Sequence, residues 1–179
     1  MTDRSDDILA ERARLLARPL VPPRAAEAVI EVIGFRLAGE HYALDADVVR
    51  EVLPFTDFTP VPGVPAHVIG VTNLRGEILV VFDLRILFGL PGRGLTDRTR
   101  LIVCGAAAPE FGIVADATQE VSALPLSSLL AEATLLGAER QPCVRGITRD
   151  AVIVLDGAAL LRDRRLFVEG TATPSEGEA

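Results

Sequence analysis

The sequence predicts an all-β fold, a pair of barrels or a sandwich, on two observations. Short runs rich in Val, Ile and Leu recur along most of the chain, each bounded by turn residues such as Gly, Pro, Asp or Asn. A weak internal repeat then sorts these runs into two comparable sets, which favours two barrels. At 179 residues, 49% hydrophobic and 24% charged, the chain has enough apolar surface for one compact domain or two small β units sharing an interface.

The first element is an N-terminal helical extension, residues 1–24 with its linker. Ser5 is placed to cap it, Asp6 and Asp7 fall in the first turn where the helix dipole favours negative charge, and Ile8, Leu9, Leu15 and Leu16 recur on one face. Pro19 ends it, and Pro22-Pro23-Arg24 forms a stiff linker. So short a helix is not stable alone, so it docks on its own body or meets a partner.

Strands are expected at 28–37, 42–44, 48–53, 68–74, 77–82, 101–104, 111–114, 118–121, 143–148 and 152–155. Arg75-Gly76 supplies a tight turn between the fourth and fifth, with Gly tolerating positive φ. Asp83 and Asp156 cap short helices. Gly89, Gly92 and Gly94, with Pro91, read as a mobile loop, and 127–136 is an ambiguous connection. The body is expected at 28–168, its first barrel at 28–95 and its second at 97–166, with 169–179 a disordered tail.

The repeat aligns residues 42–52 with 111–121, matching Ala46 with Ala115, Asp47 with Asp116, Glu51 with Glu120 and Val52 with Val121. Further on, Gly70-Val71-Thr72 parallels Gly146-Ile147-Thr148, and 78–83 parallels 151–156. The matched order is the same in both sets, as duplication requires, and a groove between two barrels is a natural seat for another chain.

Composition excludes several function classes. A net charge of -7 and a pI near 4.9 argue against nucleic acid, whose phosphates need clustered cations. The uncharged stretches fall short of the roughly 20 residues of a membrane span, so no membrane insertion is expected. No export or transit signal is expected from the N-terminal residues, and the expected compartment is the cytoplasm. Cys104 and Cys143 lie in apolar runs without neighbouring His and read as buried reduced thiols, so no metal or other cofactor is expected. All 18 basic residues are Arg, which carries no functional message. His67, in Pro65-Ala66-His67, reads as exposed.

For chemistry, the enzyme reading to weigh is an acid hydrolase with one carboxylate per repeat, Asp83 and Asp156, sharing a proton. Asp83-Leu84-Arg85 and Asp156-Gly157-Ala158 both lack the Asp-Thr/Ser-Gly pattern of such enzymes. Each precedes apolar residues at helical spacing, so a helix cap is the stronger reading.

The residues of 65–90 carry more than a fold. Ile69, Gly70, Val71, Asn73, Leu74, Arg75, Gly76, Asp83, Leu84 and Arg85 resemble the signature of the CheW family, scaffold proteins of bacterial chemosensory arrays. The resemblance spans about 30–166. It implies two small five-stranded, SH3-like β-barrels packed face to face and no enzymatic activity. Its implied partners are the cytoplasmic tips of chemoreceptors and the regulatory domain of a CheA-type histidine kinase, in a motility or a non-motility pathway. The contact residues it implies are Val49 and Glu51 on one strand, Gly70 and Arg75 at the signature hairpin, and Val121 in the second barrel. Two positions depart from the pattern: Val80 stands where the family often has Pro, and Arg100 where a contact strand usually carries an apolar residue.

Overall fold

The structure is a computed structural model and describes residues 28–92, 94–130 and 137–167. The N-terminal helix, linker and C-terminal tail expected from the sequence, with residues 131–136 of the ambiguous connection, lie outside them. Eleven strands run in order: β1 Val29–Leu37, β2 Glu40–Asp45, β3 Val49–Pro54, β4 Val68–Leu74, β5 Glu77–Phe82, β6 Arg100–Cys104, β7 Phe111–Ala115, β8 Ala117–Pro125, β9 Leu129–Leu130, β10 Val144–Thr148 and β11 Ile153–Leu155. Short helices follow at Leu84–Leu87 and Gly157–Leu161, capped by the Asp83 and Asp156 carboxylates as their position before apolar residues predicts.

The strands form two sheets, a five-stranded one ordered β3-β6-β7-β5-β4 and a six-stranded one ordered β8-β1-β2-β11-β10-β9. The fold is therefore all-β with two packed subdomains. The extra strand is the two-residue β9, which the sequence pattern did not single out. The division into contiguous barrels at 28–95 and 97–166 is corrected by the pairing. β1 and β2 join the sheet of β8 to β11, while β6 and β7 join that of β3 to β5.

Duplication is written into this exchange. Replacing β3, β6, β7, β5 and β4 by β8, β1, β2, β11 and β10 converts one strand order into the other. The sole parallel pairs among the described residues, β5 with β7 and β11 with β2, also correspond. Register shifts fall at Val68/Gly70 and at Val144/Gly146, the equivalent places. Each set thus lends its first two strands to the other, so neither sheet is complete without both.

Strand periodicity distributes the apolar side chains to two faces. Phe35, Leu37, Tyr42, Leu44, Ile153 and Leu155 of the larger sheet meet Phe82, Ile102, Phe111 and Ile113 of the smaller in one central core. The intervening residues Leu79, Val81, Leu101, Val103 and Val114 turn away to a second cluster closed by Phe55. On the far face of the six-stranded sheet the corresponding cluster holds Val32, Ala43 and Val154.

An arginine locks each parallel pair at its carboxyl end. Arg85 is 1% exposed. It donates from Nε and Nη2 to Asp83 at 2.8–3.2 Å and from Nη1 to Asp116 Oδ1 at 2.7 Å. Asp116 Oδ2 also accepts from the Ala38 amide at 2.8 Å, so one carboxylate ties β7, the Arg85 helix and the β1–β2 turn together. In the other sheet Arg145 bonds both Asp45 oxygens at 2.8–2.9 Å and lies 3.5 Å from Asp156. Asp45, not the aligned Asp47, therefore plays the part of Asp116.

Burial of this guanidinium costs several kcal/mol, offset only while both partners stand in place. Arg85→Ala leaves Asp83 facing a cavity without its cation, and urea unfolding is expected to show a loss of about 3–5 kcal/mol. A loss under about 1 kcal/mol would mean that water replaces the guanidinium.

Candidate partner-binding surface

The β4–β5 hairpin turns on two residues, since Leu74 pairs with Glu77. Arg75 and Gly76 have φ of 53° and 95°, the positive pair a two-residue type I′ turn needs to match strand twist. Asn73 Oδ1 accepts the Gly76 amide at 2.8 Å and holds the turn. This geometry projects Arg75 outward, its side chain 77% exposed, and Nη2 donates to Glu51 Oε2 on edge strand β3 at 2.7 Å. Glu51, Arg75, Leu74, Glu77 and Pro109 surround a depression of about 250 Å³. Ile78, 68% exposed, lies on the opposite face of the same hairpin from Glu77.

The sequence-predicted residues divide on this geometry. Glu51 and Arg75 come together although 24 positions apart. Val49 is half-buried and packs against the central core. Gly70, φ 150°, sits where a Cβ would come within 2.3 Å of the Thr59 carbonyl oxygen. It is a close-approach glycine at a bulge, with no side chain to present. Val121 is 54% exposed, but on β8, the edge of the other sheet. Arg100 turns its guanidinium onto the Asp97 and Thr99 carbonyls, at 3.2 Å each. Val80 lies in the interior of its sheet, between Val71 and Phe111, where a ladder donor is useful.

Other groups are structural. Asp83 and Asp156 each cap their own helix, and each faces its own arginine. The proton-sharing dyad of the hydrolase reading is thereby overturned. His67 is also corrected: it is half-buried, its Nε2 lies 2.7 Å from the Arg165 carbonyl oxygen, and its ring stacks on Phe82. Burial pushes the Cys104 and Cys143 thiols up to about 12, and Cys143 further donates to Asp163. Both cysteines are buried free thiols, as expected. For Asp163 burial acts upward, but hydrogen bonds from Arg165 and Cys143 outweigh it and hold the carboxyl down at about 2.

Sequence reasoning named Arg85 only as a motif residue and missed the clamps of Arg145 and Arg165. The Asp-Leu-Arg and Asp-Arg-Arg spacings offered a signal, since an Arg two residues after a capping Asp can fold back onto it.

Residues 31–165 match the CheW-like domain family. The chain belongs to that family. It is 33% identical over 91 residues to chemotaxis protein CheW of Rhizobium meliloti, 51% of this chain and 59% of that protein. It thus spans about three fifths of that relative. Protein PilI of Pseudomonas aeruginosa is 29% identical over 137 residues, covering 76% of this chain and 77% of the relative. Among solved structures, the scaffolding protein TtCheW from Thermoanaerobacter tengcongensis matches with a TM-score of 0.62 and 30% identity, over 72% of this chain and 89% of that one. Among the described residues of this CheW-like domain no helix is long and apolar enough to cross a membrane.

Two substitutions separate presentation from architecture. Arg75→Ala removes an exposed ion pair and is expected to change unfolding free energy by under about 1 kcal/mol, whereas Gly70→Ala forces the Thr59 backbone aside and lowers the thermal midpoint by several degrees. Equal midpoints for the two would contradict this assignment. Asp163 titrates lower folded than unfolded, so its contribution is present above about pH 4 and lost as pH falls toward 2. The gap in urea midpoint between Asp163→Asn and the parent is expected to narrow over that window; a pH-independent gap would show that the ion pair is not its source.

Proposed function

We propose that this chain is a non-enzymatic, cofactor-free scaffold that couples the cytoplasmic tips of chemoreceptors to the regulatory domain of a CheA-type histidine kinase, in the cytoplasm at receptor arrays. The observation that carries the reading is the exposed Arg75 hairpin set against edge strand β3 within a CheW-like fold. One guanidinium nitrogen is held by Glu51, which limits the rotamers Arg75 samples, and its remaining donors face solvent. A planar fork presented in this way suits a partner carboxylate, bonded at two points. Ile78 supplies exposed apolar area on the other face of the hairpin, and Val121 on β8 offers a second contact on the other sheet. Val49 and Gly70 shape the strands that carry these groups. Signalling then follows from holding partners in one geometry.

A second reading keeps the scaffold and changes the pathway to a non-motility chemosensory one, since not every relative is named a chemotaxis protein and PilI is one that is not. The genes adjoining this one distinguish the two, since the kinase and receptors encoded there identify the output.

The proposal is tested by capture of a CheA-type regulatory domain on the immobilised full chain. Binding is expected, and Arg75→Glu is expected to weaken it about tenfold or more, as loss of a hot-spot residue does. A folded parent protein that captures neither the regulatory domain nor a receptor tip would dismiss the proposal.

A further inference from the structure

The six-stranded sheet carries a cavity of about 700 Å³ on the face turned away from the central core. Its apolar wall is Val32, Ala43, Leu124 and Val152, and its rim includes Ser127 and Arg149. The two sheets are otherwise equivalent, yet their outer faces are filled unequally. In the five-stranded sheet Phe55 closes the cluster and stacks on Phe58 at 5.5 Å. In the six-stranded sheet, among the described residues, Val32, Ala43 and Val154 are buried, and Ile30, Leu124, Leu129 and Val152 are only partly covered. Among the described residues this core lacks the aromatic filler its counterpart has.

We propose that the occupant is this chain's own N-terminal segment, residues 5–18, seated through Ile8, Leu9, Leu15 and Leu16. Their spacing at i, i+1, i+7 and i+8 gives one apolar face of a helix. An amphipathic segment in an apolar groove is a recurrent mode of recognition. The chain joins the described fold at the cavity itself. Ala28 accepts a hydrogen bond from the Leu126 amide at 2.9 Å, and Val29 pairs with Pro125 of the cavity lining. Residues 17–27 span roughly 36–40 Å when extended, so the apolar face reaches the cavity with slack. Tethering at this distance gives an effective concentration on the order of millimolar. No external partner has that advantage. Docking supplies to this sheet the aliphatic volume that Phe55 and Phe58 supply to the other.

The test uses the full-length chain with paired cysteines. Leu16→Cys with Ser127→Cys on the rim is compared with Leu16→Cys and Glu77→Cys on the hairpin of the other sheet. Cys104 and Cys143 are buried and do not compete. Under mild oxidation the rim pair is expected to form its intramolecular disulfide about tenfold or more faster than the hairpin pair. Leu15→Ser with Leu16→Ser is expected to raise emission of the apolar dye ANS severalfold and to speed amide exchange at Val32 and Ala43. Equal crosslinking rates would overturn the proposal. So would a disulfide-linked dimer as the main product, which assigns the cavity to a second copy, or a dye response unchanged by the double substitution.

Discussion

The fold depends on one fully buried cation. Arg85 sits between Asp83, which ends β5 and caps a helix, and Asp116, where the chain leaves one sheet for the other. A guanidinium out of water is tolerated only with its donors engaged, so every group that meets it is fixed in place. Replacing the whole cluster by apolar residues need not lower stability. What the charges contribute is registry, because an apolar filler accepts many arrangements and a bidentate arginine accepts few. Asp116 extends that registry to the β1–β2 turn, and so across the line between the two strand sets.

Registry matters because the sheets are built by exchange. Each contains two strands from the other repeat, so the central core of Phe35, Tyr42, Phe82, Phe111 and their neighbours is continuous across the sheets. The two repeats cannot separate without breaking ladder hydrogen bonds within both sheets. Rigidity of this kind is what a scaffold needs. Under the proposed function, a partner at the Arg75 hairpin and another at β8 would be held at a fixed relation by backbone pairing as well as by side-chain packing.

The clamps also show how duplicated parts diverge. Arg85 reaches its carboxylates from inside a capped helix and is sealed, whereas Arg145 reaches Asp45 and Asp156 from strand β10 with its side chain 28% exposed. The same electrostatic device was assembled from a different position in the second repeat. Simple alignment therefore paired Asp116 with the exposed Asp47, although Asp45 does the equivalent work.

Sequence alone determined the local structure: the strand runs, the Arg75-Gly76 turn, and the two helices capped by Asp83 and Asp156. These follow from period-two alternation, positive-φ tolerance and side-chain capping, all of which act between residues close in the chain. The family signature lay in the same short-range features, as did the bulge glycine Gly70. Tertiary structure decided which strands share a sheet, since ladder hydrogen bonds join backbones and carry no residue code for a distant partner. It likewise decided that Arg75 meets Glu51, that His67 is covered by Phe82 and Arg165, and that Arg145 answers Asp45. Each of these contacts joins groups far apart in sequence, which only the folded geometry brings within reach.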